Sequence, residues 1–303
     1  MPGRVRSPSV GPRCRRAVAL LSVVTALAAA SSAAAAASTT TSQPVGALLN
    51  RVLHAWAGFP ARASPRPLVL LEGDILNPVN GFPNDASKEA FGNGQITAPG
   101  AGWPDSPTRS MGFPVVGAAA AFTSLTTPDS NSVGSPPPLG TTAVQLGSGL
   151  FLTDRGWRTL PAWLFSLTGV QNPAKVLAVG PSAIYPAPAT GAGSAPAQLS
   201  VTASSGSRHI VANFFGAPAG TGVCTARYTL SIKESKQAVA VAVTSHPHQA
   251  PPGVGDVACA AVAVPRHASG ELRAPIGSRV VVDAASEAAV SVTAPHSEGP
   301  AGG

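Results

Sequence analysis

The stretch AVQLGSGLFLTDRGWRTLPAWLFSL, residues 143–167, decides the fold of this chain. It lies in the densest apolar part of the sequence beyond the N-terminal segment, and the triplet Asp154-Arg155-Gly156 divides it into two apolar runs. Two such runs joined by a short turn that contains Gly are typical of a β-hairpin. The sequence therefore predicts paired strands over Ala143–Thr153 and Trp157–Leu167, followed by a third short strand over Val176–Val179.

The residues before this hairpin supply aromatic packing partners. All four tryptophans and most of the phenylalanines lie between Trp56 and Tyr185, so this part is expected to hold the aromatic core. The long stretch from 77 to about 114 is rich in Gly, Pro and Asn and is predicted to be mostly irregular. Apolar periodicity predicts two helices and one short strand, at 44–56, 115–125 and 68–71. With the hairpin they predict an α+β module over 46–185, preceded by a spacer over 38–45.

The composition changes at residues 186–197, PAPATGAGSAPA, which predicts a linker. Beyond it, Thr225–Lys233 alternates strictly between apolar and polar side chains, which is the period of a half-buried antiparallel strand. Further short strands are predicted at 199–203, 209–215, 238–244, 257–264, 279–283 and 288–292. Short strands at this spacing are typical of a β-sandwich. The sequence thus predicts an α+β fold, mainly β overall: a mixed N-terminal module, a C-terminal antiparallel β-sandwich-like domain over 198–294, and a mobile tail over 295–303.

The N-terminal segment predicts export. Residues 1–16 carry five arginines and no acid, an apolar run follows over 17–30, and alanines continue to residue 37. This pattern is typical of a secretory signal peptide over residues 1–37. A membrane anchor is the alternative, although the strongly apolar run is shorter than the ~20 residues that a spanning helix needs. We therefore expect a secreted or envelope-associated protein with no transmembrane segment after removal of the leader.

The leader also carries most of the excess positive charge. Five of the 20 Lys and Arg and none of the 13 Asp and Glu lie in it, so its removal lowers the formal charge from +7 to +2. The remaining basic side chains are scattered singly or in twos. A nucleic-acid surface needs clustered positive charge, so the sequence argues against a nucleic-acid partner.

Two cysteines remain beyond the leader, Cys224 and Cys259. In an oxidising compartment two cysteines most simply form one disulfide. Closing this loop contributes about 3–4 kcal/mol in the chain-entropy model, and the bridge is expected to tie two strands of the C-terminal domain together. A metal pair or a reactive thiol is the alternative, although the sequence has no CxxC spacing.

The sequence contains none of the common catalytic motifs. G-x-S-x-G, S-x-x-K, GxGxxG, the Walker loop and H-E-x-x-H are all missing, and no cofactor is predicted. We therefore favour a protein that is not an enzyme. The alternative is a secreted hydrolase, with carbohydrates among its candidate substrates. Its acid and base would be dispersed residues such as Glu72, Asp74 and Asp154.

Two groups of side chains have the chemistry of metal ligands. His246 and His248 stand at i, i+2, which places both imidazoles on one side of an extended chain, as a metal ion needs; a polar loop rich in proline is the alternative. Oxygen-bearing residues between 74 and 85 offer the ligands that calcium prefers, with ordinary Asn and Asp turn chemistry as the alternative. The members of this oxygen set are Asp74, Asn77, Asn80, Asn84 and Asp85.

Tryptophans and arginines are the candidates for binding an organic ligand. Trp103 lies in a loop rich in Gly and Pro and is expected to be exposed, where its indole can stack on a sugar ring. Trp157 and Trp163 flank apolar residues and are expected to pack in the core. Arg155 and Arg158, at and beyond the hairpin turn, would form a charged tip presented to a ligand; a solvated turn is the alternative.

Two parts of the chain resemble uncharacterised exported bacterial proteins. The block FLTDRGWRTLPAWLF followed by KVLAV, at 151–165 and 175–179, is similar to a block that precedes a β-rich tail in those proteins. YTLSIKES, the second cysteine and APIGSRVVVD, at 228–235, 259 and 274–283, are similar to that tail. The resemblance covers about half of the mature chain, and it implies no activity and no functional residue.

These observations predict an exported, non-enzymatic binding or structural protein of the cell envelope or extracellular space. The leader, the cysteine pair and the missing catalytic motifs support this expectation. The expected partner is an envelope polysaccharide or an envelope protein.

Overall fold

The computed structural model describes residues 44–78, 81–128, 134, 136–188, 199–249, 257–260 and 262–295. Residues 43–303 group into one compact unit. The predicted signal peptide and its spacer up to residue 43 lie outside the described residues. Most of the predicted linker, from residue 189, and most of the predicted tail, from residue 296, also lie outside them.

The N-terminal half is built around one long hairpin. Its elements in chain order are α1 (Val45–Ala55), β1 (Ile75–Leu76), α2 (Asp85–Gly92), β2 (Ile96–Thr97), β3 (Arg109–Ser110), β4 (Phe113–Pro114), α3 (Ala118–Leu125), β5 (Leu139–Thr153), β6 (Gly156–Leu167) and β7 (Ala174–Leu177). One sheet has the order β1-β7-β6-β5-β2, and β3 pairs with β4. The predicted hairpin is confirmed, since β5 and β6 pair antiparallel with Thr153 opposite Gly156. The strand expected at 68–71 forms only isolated bridges, from Leu68 and Leu70.

Two of the three helices were expected, and α2 was not. It lies within the stretch from 77 to about 114 that was predicted to be mostly irregular. Asn84 caps it, because the side-chain oxygen of Asn84 accepts a hydrogen bond from the backbone N–H of Ser87 at 2.8 Å. Only Ala90 of this short helix is fully buried, so it has no apolar period to reveal it. None of the helices in the described ranges is long and apolar enough to span a membrane.

Helix α3 covers one end of the hairpin. Phe122 and Leu125 of α3 share a core with Trp163 and Phe165 of β6. The indole N–H of Trp163 donates a hydrogen bond to the backbone oxygen of Val116 at 2.8 Å. Trp163 is 1% exposed, which confirms its predicted place in the core.

The C-terminal half is a β-sandwich. Its strands are β8 (Ser200–Thr202), β9 (His209–Gly216), β10 (Ala226–Glu234), β11 (Ala238–Pro247), β12 (Val264–Glu271), β13 (Val280–Asp283) and β14 (Val292–Thr293). They form two sheets, ordered β10-β11-β13 and β12-β9-β8-β14. The facing side chains share one core, in which Val201 and Ile210 meet Val241 and Val281. The predicted fold class is confirmed, although β11 pairs with β13, and β8 with β14, in parallel.

The prediction of a strand over 257–264 is wrong. Residues 257–260 are exposed and belong to no strand, and β12 begins only at Val264. The run of Val, Ala and Cys is apolar without alternating, so it presents no single face to a core. The strand that does form alternates in burial, and it pairs with β9 from Val264 opposite Gly216 to Glu271 opposite His209. The last predicted strand, 288–292, is likewise shifted to β14.

The two predicted modules share a core. Leu49 and Val52 of α1, and Trp56 at its C-terminal cap, are buried in one cluster with Ala240 of β11 and Val282 of β13. The helix was expected within the first module, but it covers a sheet of the second. Amphipathic spacing specifies which face of a helix is buried and does not specify what covers that face.

The hairpin turn is a second contact between the two halves. The side chain of Asp154 is 1% exposed, and its carboxylate accepts hydrogen bonds from the guanidinium of Arg66. Arg155 donates to the backbone oxygen of Arg279 at 2.8 Å, and the N–H of Val292 donates to the backbone oxygen of Asp154 at 3.1 Å. The turn therefore docks against the C-terminal sandwich, and Arg155 is held in that contact, whereas Arg158 beyond it is exposed.

The two cysteines of the described chain form the predicted disulfide. The Cα atoms of Cys224 and Cys259 are 5.4 Å apart. Cys224 lies just before β10, and Cys259 lies in the exposed segment 257–260 that precedes β12. The bridge therefore joins two segments that lie outside the strands, rather than strand to strand.

Replacing Cys224 with alanine is expected to lower the free energy of unfolding by about 3 kcal/mol, because the unfolded chain regains the entropy of the open loop. Urea unfolding of the oxidised protein and the variant measures the difference. The reduced wild-type protein is the control, and its stability should equal that of the variant. A difference within about 0.5 kcal/mol between oxidised protein and variant would contradict a stabilising bridge.

Candidate functional site

A groove of about 910 Å³ opens beside β1, between α2 and the end of α3. Both polar and apolar side chains line it. Its polar lining residues are Asp74, Asn77, Asn84, Asp85, Lys88, Ser124 and Thr127. Concave sites of this size that combine apolar walls with a few polar groups are the usual form of ligand pockets.

Asp74 is held at the junction of the sheet and α3. Its backbone oxygen accepts a hydrogen bond from the N–H of Leu177 in β7 at 2.7 Å. Its carboxylate oxygen Oδ2 accepts a hydrogen bond from the hydroxyl of Ser124 in α3 at 2.9 Å. The second oxygen, Oδ1, keeps its capacity to accept from a ligand.

The first turn of α2 supplies the opposite wall. Asn84 uses its side-chain oxygen inside the protein, since that oxygen accepts from both the N–H and the hydroxyl of Ser87, at 2.8 and 2.9 Å. Asp85 and Lys88 follow on the helix and are exposed where they line the groove. The N-terminal position of Asp85 is favoured by the helix dipole. This wall therefore offers one carboxylate and one ammonium group to a ligand.

Two phenylalanines form the aromatic part of the lining. The rings of Phe82 and Phe91 lie with their centroids 5.3 Å apart and their planes at 57°. Both side chains are half-buried. An aromatic wall packs against the apolar C–H face of a sugar ring, while the surrounding carboxylates, amide and ammonium group can bond its hydroxyls. The groove can thus hold a polyhydroxylated ligand.

The structure brings most of the predicted oxygen set together. Asp74, Asn77, Asn84 and Asp85 all line the groove, and Asn80 lies outside the described residues. The oxygen of Asn84 is already engaged in capping α2, which is the local role expected of a turn-forming Asn. Among the described residues, no group of three or more His, Cys, Asp or Glu side chains is placed to hold a metal ion.

The structure places the two histidines of the predicted pair in different surroundings. His246 is exposed, and its Nε2 lies 2.9 Å from the hydroxyl of Thr229 on the neighbouring strand. His248 is half-buried. Its backbone N–H donates a hydrogen bond to the backbone oxygen of Thr225 at 3.0 Å, which extends the pairing of β10 with β11 by one bond. Its Nε2 is buried with no hydrogen-bond partner among the described residues.

The tryptophans are placed partly as expected. Trp103 is 39% exposed, as predicted, and its ring centroid lies 5.1 Å from that of Phe122. Trp157 was expected in the core, yet it is 55% exposed. Trp157 and Trp163 point to the same face of β6, and α3 packs on that face at Trp163. The sequence around Trp157 does not reveal that this cover ends before the hairpin turn.

The predicted charged residues lie away from the groove. Arg155 is packed in the docked turn, where burial lowers its pKa, the neighbouring Arg66 lowers it further, and Asp154 opposes the shift. Arg158 is exposed on the hairpin. Of the three dispersed carboxylates considered for a hydrolase, Asp154 is buried beside Arg66 and Glu72 does not line the groove. Only Asp74 does.

Lys88 and the phenylalanine pair are among the groove residues that the sequence did not single out as ligand-binding. Lys88 and Phe91 lie on α2, the helix without an apolar period, and Phe82 lies in the loop before it. The capping sequence Asn84-Asp85-Ala86-Ser87 is the one local signal that could have located this helix.

Comparison of the chain with protein-family models, with curated proteins and with solved structures finds no match.

Proposed function

We propose that this chain is an exported, non-enzymatic binding protein of the cell envelope or extracellular space, and that its groove binds an envelope polysaccharide. The proposal for export is supported by the arginine-rich, alanine-rich leader and by the bridged pair Cys224 and Cys259. The proposal for the ligand is supported by the groove alone.

The observation that carries the ligand class is the make-up of the groove. Acceptors at Asp74, Asn77 and Asp85 and a donor at Lys88 surround the aromatic pair Phe82 and Phe91. A polysaccharide presents hydroxyls at the edges of its rings and C–H groups on their faces, so it needs this combination of partners. The carboxylates face solvent, where an extended chain of sugars can reach them.

The double variant Asp74→Asn and Asp85→Asn tests the groove. It removes both charges while keeping an oxygen at each position, and we expect the Kd to rise by about tenfold or more, since a hydrogen bond to a charged group contributes ~1.5–3 kcal/mol. Co-sedimentation with purified envelope polysaccharides, followed by calorimetry with their soluble fragments, measures it. Glu72→Gln is the matched control, because this exposed carboxylate near Asp74 does not line the groove.

Two outcomes would overturn this proposal. One is that no envelope polysaccharide fraction retains the wild-type protein. The other is that the double variant binds as tightly as Glu72→Gln does.

The alternative function is a secreted, carbohydrate-directed hydrolase. It is favoured by one observation, that two carboxylates, Asp74 and Asp85, line the same groove. If the wild-type protein releases new reducing ends from the bound polysaccharide and Asp74→Asn does not, the protein is a hydrolase. Binding without release decides for the binding protein.

A further inference from the structure

The outer edge of β5 carries an unpaired run of backbone. β2 covers its beginning, at Leu139 and Gly140, and Leu71 covers its end by donating to the backbone oxygen of Leu152 at 3.1 Å. Between them, residues 142–150 have no strand partner other than β6 among the described elements; 143–150 are in register with β6, and Thr142 stands in a bulge. In an antiparallel pair every second residue turns its N–H and C=O away from the partner. This run therefore offers a ladder of free donors and acceptors.

This edge has a bulge at its start, between Thr141 and Ala143, and it lacks two other common protections against strand pairing, charge and proline. The whole of β5, LGTTAVQLGSGLFLT, contains no charged residue and no proline. Two of the four edge strands of the sandwich differ: β10 carries Arg227 and Lys233, and β12 carries Pro265 and Arg266. Charges and proline are two of the devices by which natural proteins block edge-to-edge pairing. Their absence is therefore particular to β5 among these three edges.

The side chains along the run favour pairing with an identical strand. A neutral edge offers no charge to steer a charged partner, and it meets no like-charge repulsion when it faces itself. Leu150 is 52% exposed on this edge. A two-fold axis normal to the sheet keeps each face of one copy continuous with the same face of the other. Leu150 of one copy would then lie on one apolar surface with Val144 and Leu146 of the second.

We propose that β5 is a self-association edge, at which two copies of this chain pair antiparallel through residues 142–150 and form one continuous sheet. The run is short, and interfaces that bury less than about 1,200 Å² in total are typical of weak complexes. The dimer should therefore form reversibly and depend on protein concentration. This proposal is independent of the groove and of its ligand.

Sedimentation velocity of the purified protein from about 10 µM to 1 mM, paired with hydrogen exchange of the peptide over 142–150, tests the edge. We expect the sedimentation coefficient to rise with concentration, and exchange in this peptide to slow by about fivefold or more at the upper end. Ser148→Lys places a charge on the free edge and should weaken the dimer by about tenfold or more. Gln145→Lys, on the same edge and the opposite face, should do the same. Both positions are exposed, and thermal unfolding verifies that the variants fold.

Thr159→Lys is the matched control. Thr159 is exposed opposite Leu150, but it lies on β6, which is an inner strand. The control should leave pairing of β5 intact. A monomer at all concentrations overturns the proposal, as does a dimer that Thr159→Lys weakens as much as Ser148→Lys. Slow exchange over 142–150 in a monomer also overturns it, since another part of the same chain would then cover the edge.

Discussion

Replacing Asp154 with alanine is expected to lower the free energy of unfolding by about 3–5 kcal/mol, the cost of breaking a buried ion pair by removing one partner. The side chain of Asp154 is 1% exposed and that of Arg66 is 17% exposed. The carboxylate also lies 3.8 Å from Nε of Arg155, which is largely buried. Without Asp154, two guanidinium groups remain close together in a desolvated turn with no anion between them.

Urea unfolding of the wild-type protein and the variant measures this loss. Asp105→Ala is the control, because Asp105 is exposed, and surface substitutions of this kind change stability by about 0.5 kcal/mol or less. The variant Arg66→Met should recover part of the loss in the Asp154→Ala background, since it removes one of the uncompensated charges. A loss below about 1 kcal/mol for Asp154→Ala would show that the docked turn is solvated in solution.

Replacing Trp163 with alanine is expected to lower the free energy of unfolding by about 3–5 kcal/mol, while the same change at Trp157 costs far less. Trp163 is 1% exposed, packs against α3, and bonds the backbone oxygen of Val116. Its truncation leaves a cavity and an unpaired acceptor. Trp157 is 55% exposed on the same strand, so its truncation leaves neither.

Trp157→Ala is the matched control for Trp163→Ala, because both substitutions remove an indole from the same face of β6. Chemical unfolding gives the two free energies, and the fluorescence of the remaining tryptophans follows the transition. If both substitutions lowered the free energy of unfolding equally, this would contradict the finding that α3 covers only one end of β6.

The parts of the fold that the sequence predicts are those whose signal is local. The hairpin of β5 and β6 follows from two apolar runs and a turn with Gly156, and β10 follows from strict alternation in Thr225–Lys233. The disulfide follows from the number of cysteines beyond the leader. Burial at Trp157 could not be predicted in this way, because it depends on where a helix that lies far away in the sequence ends its cover.

The candidate site shows the same division. The oxygen-bearing residues were visible in the sequence, and Asp74 and Asp85 do meet in one groove. The place of Phe91 in the groove was hidden, because α2 has a single fully buried residue and no apolar stripe, and its partner Phe82 lies in the loop before that helix. The sequence could therefore suggest the polar chemistry, but the aromatic wall depended on tertiary packing.

The packing of α1 on β11 and β13 determines which fragments of this protein can be produced separately. The change in composition at 186–197 invites excision of the sandwich as a separate fragment. That fragment would lack Val52 and Trp56, and it would present the footprint around Ala240 and Val282 to water. An apolar surface of this kind promotes aggregation. We therefore expect a fragment cut at the predicted linker to aggregate, and a soluble fragment to require α1.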